Sequence, residues 1–297
     1  MDAQLLAIFQ KTFEIVFALF AVVAVGYVYG RYRSTDMSVS NKINTDVFLP
    51  ALIFGVMSSQ AFDITAYLDL AVAVTVIVLG SGLLAWPLCR VLGVQVKTFV
   101  PPMMFNNCGN LGLPLLVLAF GETALPAAVM LFVVSNTIHF TLGAYMVGAD
   151  KNPFKLLTQP MIAATFLGIA WSLLDLPMAK TLSISLEMLG QVSIPLLLFA
   201  LGVRMNDVDF SQWKIGLWSA LIGPGTGLLM AIPVVYWLDL SAVNTAYVWL
   251  FASLPPAVLN YIVAERQNQQ PELVAPIVLI GNIGGLVIIP ATLFFVL

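Results

Sequence analysis

The sequence predicts an all-α polytopic membrane protein with ten transmembrane helices, arranged as two five-helix repeats of inverted orientation. Three observations support this prediction. Of the 297 residues, 60% are hydrophobic and only 9% are charged, whereas soluble domains contain roughly 25% charged residues. Apolar runs long enough to cross the hydrocarbon recur about ten times. Two of these runs are interrupted by breaks rich in proline and asparagine.

Short polar turns separate the predicted spans, each of which needs about 20 mainly apolar residues. The spans are centred near Phe20, Ile53, Val76, Cys108, Val134, Gly168, Leu197, Leu228, Val258 and Val287. The first span does not resemble a signal peptide, because Arg31 and Arg33 follow its apolar run instead of preceding it. We therefore expect the first span to remain in the mature protein.

The basic residues predict the orientation, because Lys and Arg accumulate in short cytoplasmic loops. Only Lys11 and Lys180 lie on the side where the chain begins. The others fall at alternate loops, starting after the first span: Arg31, Arg33, Lys42, Arg90, Lys97, Lys151, Lys155, Arg204, Lys214 and Arg266. This bias predicts an integral membrane protein with both termini outside the cytoplasm.

Short similarities relate the two halves of the chain, residues 1–149 and 150–297. Val47–Val56 (VFLPALIFGV) in span 2 is similar to Val192–Leu201 (VSIPLLLFAL) in span 7. Five spans per half place the second half in the membrane with the opposite orientation, so the predicted repeat is inverted. A chance match stays open, because membrane helices generally tolerate proline and small residues.

Spans 5 and 10 add to this pattern. Both begin with Glu-x-x-x-Pro, at Glu122 and Glu272, and Asn136 and Asn282 lie inside the same two spans. An ordered set of matches is less readily explained by chance than any one of them.

The two breaks are Pro101–Pro114 (PPMMFNNCGNLGLP) in span 4 and Leu254–Asn260 (LPPAVLN) in span 9. Proline removes a backbone donor and clashes with the preceding turn, so neither span is expected to be one continuous helix. At membrane depth a broken backbone is tolerated only where protein or a water-filled cavity satisfies its polar groups. Paired breaks in corresponding spans indicate a transporter binding site.

The repeat places Asn106 and Asn107 over Pro255 and Pro256. A second alignment, PPMMFN over PPAVLN, is shifted by about one helical turn. An interrupted helix exposes N–H groups and about half a positive charge at the start of its second half. Two such ends could bind an anion without a fixed cation, and we find no Lys or Arg at mid-depth in any span. The candidate binding residues are Asn106, Asn107, Asn110 and Asn260; their amides could instead only satisfy the broken backbone.

A second group of residues could couple transport to an ion. Asp46 lies in span 2, where an acid is a functional candidate, although Lys42 is near enough for a hydrated end. Gln191 takes the place of Asp46 in the repeat. His139, the only histidine, could titrate between about pH 5 and 8, although a lone histidine is more often a packing residue. The same secondary group includes Asn136 and Asn282.

Three motifs resemble the auxin efflux carrier family, which includes the plant PIN-formed proteins and bacterial malonate-type carriers. They are INTDVFLPALIF in span 2, NNCGNLGLPLL in span 4 and LPPAVLNYIVAER in span 9, and the similarity extends over essentially the whole chain. The resemblance implies that broken helices 4 and 9 cross. It also implies a scaffold of spans 1, 2, 6 and 7 and a transport domain of spans 3–5 and 8–10. Such carriers move small organic anions by an elevator-like motion, usually as homodimers in the bilayer.

The resemblance also assigns residues. It places the crossover at Asn106, Asn107, Pro255 and Pro256, and Asp69 in span 3 resembles an acidic position beside the outward-facing cavity of the plant proteins. The short central connection around Lys151 lacks the long plant loop, and Asn106 stands where the plant proteins carry a proline. These departures favour a carrier of small carboxylates in a bacterial inner membrane over a carrier of auxin.

Other functions have less support from the sequence. Cys89, Cys108 and the single histidine form no metal-ligand or nucleophile pattern, and no basic cluster indicates nucleic acid. We expect no enzyme activity and no cofactor, while coupling to H⁺ or Na⁺ stays open. The alternatives are a membrane sensor that binds the same ligand without moving it, and a channel.

Overall fold

The computed structural model describes residues 3–33, 35–59, 64–148, 159–207 and 212–297. Over these ranges the chain is helical and contains no β-strand, only one isolated β-bridge. Six of the described helices are long and apolar enough to cross a membrane. The predicted class, an all-helical integral membrane protein, is therefore confirmed.

The first half contains seven helices, whose bounds are α1 Ala3–Tyr32, α2 Ser38–Ile43, α3 Leu49–Met57, α4 Leu68–Leu92, α5 Val96–Met104, α6 Cys108–Phe120 and α7 Glu122–Met146. A π-helical turn, Asn44–Phe48, joins α2 to α3. Similar π-helical turns begin α6 at Cys108–Gly112 and lie within α7 at His139–Gly143.

The second half contains α8 Pro160–Leu173, α9 Lys180–Arg204, α10 Trp213–Trp237, α11 Ala242–Ala252, α12 Val258–Arg266 and α13 Pro271–Val296. The membrane-length helices are α1, α4, α7, α9, α10 and α13. The other predicted spans correspond to shorter helices: α2 with α3, α5 with α6, α8, and α11 with α12.

Pairs of prolines lie at both helix interruptions. Pro101 and Pro102 lie near the end of α5, and Phe105 then adopts an extended conformation before α6 begins. In the second half, Pro255 and Pro256 separate α11 from α12. Because a proline nitrogen cannot donate to the preceding turn, each helix ends where the sequence predicts a break. The predicted span centres Cys108 and Val258 are in fact the first residues of new helices.

The helices pack in two groups. In the first, α9 packs against α1 and α3, and α3 against α8; in the second, α10 packs against α4 and α13, and α4 against α5 and α7. Close approach of α1 to α9 depends on two glycines. A Cβ on Gly26 would overlap the carbonyl oxygen of Phe199, and a Cβ on Gly202 would overlap that of Val23.

Candidate functional site

The two interrupted segments meet in the protein interior and run antiparallel, with Asn106 opposite Pro256. The N–H of Asn107 donates to the Pro255 carbonyl at 2.7 Å, and the N–H of Ala257 donates to the Phe105 carbonyl at 2.9 Å. These bonds pair backbone groups that the helix breaks would otherwise leave unsatisfied in an apolar interior. The crossover therefore stabilises both breaks at once.

The two crossover hydrogen bonds are exchanged by a local two-fold operation that carries Asn106 onto Pro256 and Asn107 onto Ala257. The predicted register, which placed Asn106 over Pro255, thus differs from this operation by one residue. The Glu122 and Glu272 starts of spans 5 and 10 have the same offset as this operation. The local operation also relates Asn110 to Asn260.

Asn107 and Asn282 brace the crossover from α13. Asn107 Nδ2 donates to Asn282 Oδ1 at 2.8 Å, and Asn282 Nδ2 donates to the carbonyls of Pro256 and Val278 at 2.9 and 2.7 Å. Asn106 Nδ2 donates to the Phe251 carbonyl at 2.6 Å. These amide donors satisfy broken backbone and neighbouring side chains, which is the structural alternative that the sequence left open.

Asn260 is also engaged in holding the crossover. Its Nδ2 donates to the carbonyls of Phe105 and Ala257 at 2.9 and 3.0 Å, and its side chain is buried. The imidazole of His139 stacks on the Phe105 ring with centroids 4.1 Å apart and planes 3° from parallel. His139 is thus packed behind the crossover, the arrangement expected for a structural histidine.

A cavity of about 180 Å³ adjoins the crossover. Small-molecule sites commonly measure about 300–1,000 Å³, so this cavity suits only a small ligand. Its crossover end is lined by Asn106, Asn107, Asn110 and Asn136. Its walls are largely apolar and include Leu49, Phe132, Phe140, Met161, Leu197 and Ile262.

Asn110 is the crossover asparagine with a free side chain. It lines the cavity, it is half-buried, and no hydrogen bond among the described residues involves its amide. Nearby N–H groups at the starts of α6 and α12, those of Gly109, Asn110, Val258 and Leu259, have no backbone carbonyl acceptor in the described chain. Donors therefore converge on this end of the cavity, and helix N-termini favour negative charge.

The far end of the cavity is lined by Asn41, Thr45 and Arg204, none of which the sequence singled out as a site residue. Arg204 was assigned only to a basic loop, whereas it is the last residue of α9. Leu197 and Ala200 of the same helix also line the cavity. Their spacing places all three on one helix face, and that spacing is the signal that could have identified Arg204.

Eight of the predicted residues do not line this cavity. Pro255, Pro256, Asn260, Asn282 and His139 form or pack against the crossover, whereas Asp46, Asp69 and Gln191 lie away from it. Asp46 pairs with Lys42 at 2.7 Å and its side chain is 40% exposed, which agrees with a hydrated helix end. Asp69 is exposed in the first turn of α4. Gln191 Nε2 donates to Glu187 Oε1 at 3.1 Å, beside a second cavity of about 820 Å³ between α1, α3, α6 and α9.

An all-helical membrane chain, interrupted twice in its interior beside a small cavity with asparagines at one end, has the features of a polytopic transport protein. Comparison with known proteins agrees: residues 148–295 match the family model described as "Membrane transport protein". An "Uncharacterized transporter" of Methanothermobacter thermautotrophicus is 28% identical over 95% of this chain and 98% of its own length. A "Putative malonate transporter" of Rhizobium meliloti is 24% identical over 95% of both chains.

A third relative, "Uncharacterized transporter MJ1031" of Methanocaldococcus jannaschii, is 21% identical over 93% of this chain and 96% of its own length. The predicted resemblance to the auxin efflux carrier family, a family of membrane transport proteins, is thereby confirmed.

Proposed function

We propose that this protein is a secondary-active transporter that moves a small organic anion, a carboxylate of about the size of malonate, by alternating access. The observation that carries the proposal is the crossover cavity. It presents the free amide of Asn110 and N–H groups of two helix starts that have no backbone acceptor in the described chain, and no Asp or Glu is among its described lining residues. A small carboxylate is the ligand class that such donors favour. The name of the Rhizobium relative supports the same class.

Within this site the proposed roles differ. Asn110 contacts the substrate, while Asn106, Asn107 and Asn260 hold the crossover through their own hydrogen bonds. Pro255 supplies a backbone acceptor to Asn107, and Pro256 supplies one to Asn282. Asn136, whose Nδ2 donates to the Phe132 carbonyl at 2.9 Å, shapes the cavity wall.

Helix packing supports a ten-span, five-plus-five inverted repeat over residues 1–149 and 150–297. Contacts between helices occur in related pairs: α1 packs on α9 as α8 packs on α3, and α4 packs on α5 as α10 packs on α11. The pairs α3–α9 and α4–α10 each join a helix to its own proposed counterpart. A two-fold relation between the halves accounts for all of these contacts.

The two helix groups support an elevator-type movement. In this proposal α1, α2, α3, α8 and α9 form the scaffold and the remaining helices form the transport domain. The cavity lies at their boundary, because Leu49 and Leu197 belong to the scaffold while Asn110 and Phe132 belong to the transport domain. A shift of one group against the other would change which side of the membrane reaches Asn110.

The second cavity supports the same movement. It lies along the same three helices as the crossover cavity but nearer their other ends, with Leu52 of α3, Pro114 of α6 and Ile194 of α9 among its lining residues. Two cavities in sequence along one boundary are what alternating access requires. We further propose a bacterial inner membrane location, both termini outside the cytoplasm and a homodimer formed through the scaffold.

Transport of radiolabelled malonate into proteoliposomes tests the proposal. We expect protein-dependent malonate flux that Asn110→Ala reduces at least tenfold, with the variant still folded. Imposed H⁺ and Na⁺ gradients identify the coupling ion. Malonate binding without flux in the wild type would instead identify a sensor, and absence of both for any short carboxylate would overturn the proposal.

A further inference from the structure

We propose that Arg204 binds a second anionic group of the substrate, so that the crossover cavity selects dianions over monoanions. This inference rests on the function proposed above and adds a specificity-determining residue to the same site. It follows from the position of Arg204, from its lack of a close counter-ion among the described residues and from the distribution of polar groups along the cavity.

Arg204 is placed by the end of α9. Leu197, Ala200 and Arg204 line the cavity from one face of this helix, and the helix also contacts the π-helical turn that begins α6. From Leu197 to Arg204 the helix axis rises about 10 Å. Arg204 therefore lines the cavity about two helical turns along α9 from Leu197.

The Arg204 guanidinium has no close partner within the described chain. The single ion pair among these residues joins Lys42 to Asp46, whose side chains are 77% and 40% exposed. Arg204 is half-buried and lines the cavity. Asp36 is the acid whose charge reaches Arg204, but its carboxylate oxygens already accept from the N–H and hydroxyl of Ser38 at 2.8 and 2.7 Å.

The rest of the cavity fits a substrate that is polar at both ends. Asn110 and the helix starts supply donors at the crossover end, whereas Asn41 and Thr45 stand with Arg204 at the other. Leu49, Leu197 and Ile262 are among the apolar walls between them. A short carbon chain with a carboxylate at each end fits a cavity that is polar at both ends and apolar between them. Guanidinium can bind a carboxylate through two parallel hydrogen bonds.

A role limited to membrane orientation would not require Arg204 to line the cavity. Lys42 serves as the matched control, because it is a cation next to Asn41, which lines the cavity, yet it is highly exposed and already paired with Asp46. Removing the charge of Lys42 changes the electrostatic potential near the cavity but removes no side chain that lines it.

The experiment compares malonate with malonamate, its mono-amide, in proteoliposomes containing wild type, Arg204→Gln, Arg204→Lys or Lys42→Gln. Half-saturating concentrations are measured for both compounds, together with the ligand-induced rise in melting temperature. We expect the wild type to prefer malonate. Arg204→Gln should lower that preference about ten- to a hundredfold, the usual value of a charged hydrogen bond expressed as an affinity ratio. Arg204→Lys should retain part of it, and Lys42→Gln should leave it unchanged.

Equal losses for both compounds in Arg204→Gln, or an unchanged preference, would overturn the inference and leave Arg204 with a positioning role. If Arg204→Gln does not fold, Arg204→Lys provides the test, because lysine lacks the planar guanidinium group. An unchanged preference for malonate in Arg204→Lys would also overturn the inference. Wild-type flux of malonate with no preference over malonamate would sink the dianion inference alone. No wild-type flux of either compound, or of any short carboxylate, would remove the proposed function itself.

Discussion

Asn107 of the first interrupted helix and Asn282 of α13 form a direct side-chain hydrogen bond of 2.8 Å across the crossover. Asn282 also donates to the Pro256 carbonyl at 2.9 Å. One side chain therefore holds both interrupted segments to an uninterrupted helix, and the three elements are expected to move as one body.

Replacing Asn282 with alanine should destabilise the protein. The change leaves the Asn107 amide and the Pro256 carbonyl without this partner in a buried region, at a cost of about 1–2 kcal/mol. We expect a lower melting temperature in detergent and reduced flux. Thr141→Ala is a suitable control, because its hydroxyl donates only within its own helix and the residue is exposed. An unchanged melting temperature would show that the Asn107–Asn282 bond contributes nothing to stability.

Asn110→Ala, unlike Asn282→Ala, should impair ligand binding without lowering stability. Its amide makes no hydrogen bond among the described residues, so the melting temperature without ligand should stay within about 2 °C of the wild type. A ligand that binds only the native state raises apparent stability, and we expect malonate to lose this effect in the variant. Retention of the full malonate-induced shift would exclude Asn110 from the binding site.

Gly202→Ala should separate α1 from α9, because the new Cβ would overlap the Val23 carbonyl oxygen, which is backbone and cannot rotate away. Overpacking of this kind costs about 1–3 kcal/mol, so the melting temperature should fall by at least about 3 °C. Gly225→Ala is the matched control, since a Cβ on this α10 glycine meets nothing within 4 Å. Equal behaviour of the two variants would contradict the close packing of α1 on α9.

Cys108 offers a chemical reporter of the cavity. It lines the cavity at the start of α6, whereas Cys89, the other cysteine, lies in α4. In a Cys89→Ala background, a small maleimide should label Cys108 slowly, and saturating malonate should slow the reaction at least fivefold. Labelling is followed by mass spectrometry, with the variant lacking both cysteines as the blank. Labelling that malonate does not affect would place the ligand elsewhere.

Asp36→Asn should strengthen anion binding at low ionic strength. Hydrogen bonds from the Ser38 hydroxyl and N–H hold the pKa of the Asp36 carboxyl below its usual value. The carboxylate is therefore ionised at every pH above that lowered pKa, and its charge opposes the field of Arg204 between pH 5 and 8. We expect malonate affinity to rise up to about threefold at 10 mM salt and the gain to vanish at 0.5 M. A gain that survives high salt would point to a structural change instead.

The sequence predicted the features that depend on local chemistry. Composition identified the class, and the paired prolines Pro101–Pro102 and Pro255–Pro256 located both interruptions, because each proline removes a backbone donor. Single prolines inside other helices, such as Pro195 in α9, do not interrupt them. The asparagines were also found in the right region. Their division into a free Asn110 and a bonded Asn260 could not be predicted, since it depends on which carbonyls the crossover brings within reach.

Arg204 escaped prediction for a different reason. A basic residue at the end of a span fits the orientation rule, and its spacing from Leu197 and Ala200 gives a shared helix face without showing that this face meets a cavity. The cavity beside Arg204 exists only because α9 packs next to α6 in the folded protein. The pairing at the crossover differs from the predicted register by one residue, because hydrogen bonds between distant segments fix that pairing.

The local two-fold of the crossover relates Asn110 to Asn260, yet one amide is free and the other is bonded to Phe105 and Ala257. Pro256 likewise stands where the other segment has Asn106. Asn106, Asn107 and Asn110 of the first segment line the cavity, whereas the second segment contributes Ala257, Val258 and Leu259, so only one segment offers side-chain amides to a ligand. A substrate with two unlike ends is therefore expected to bind in one preferred direction.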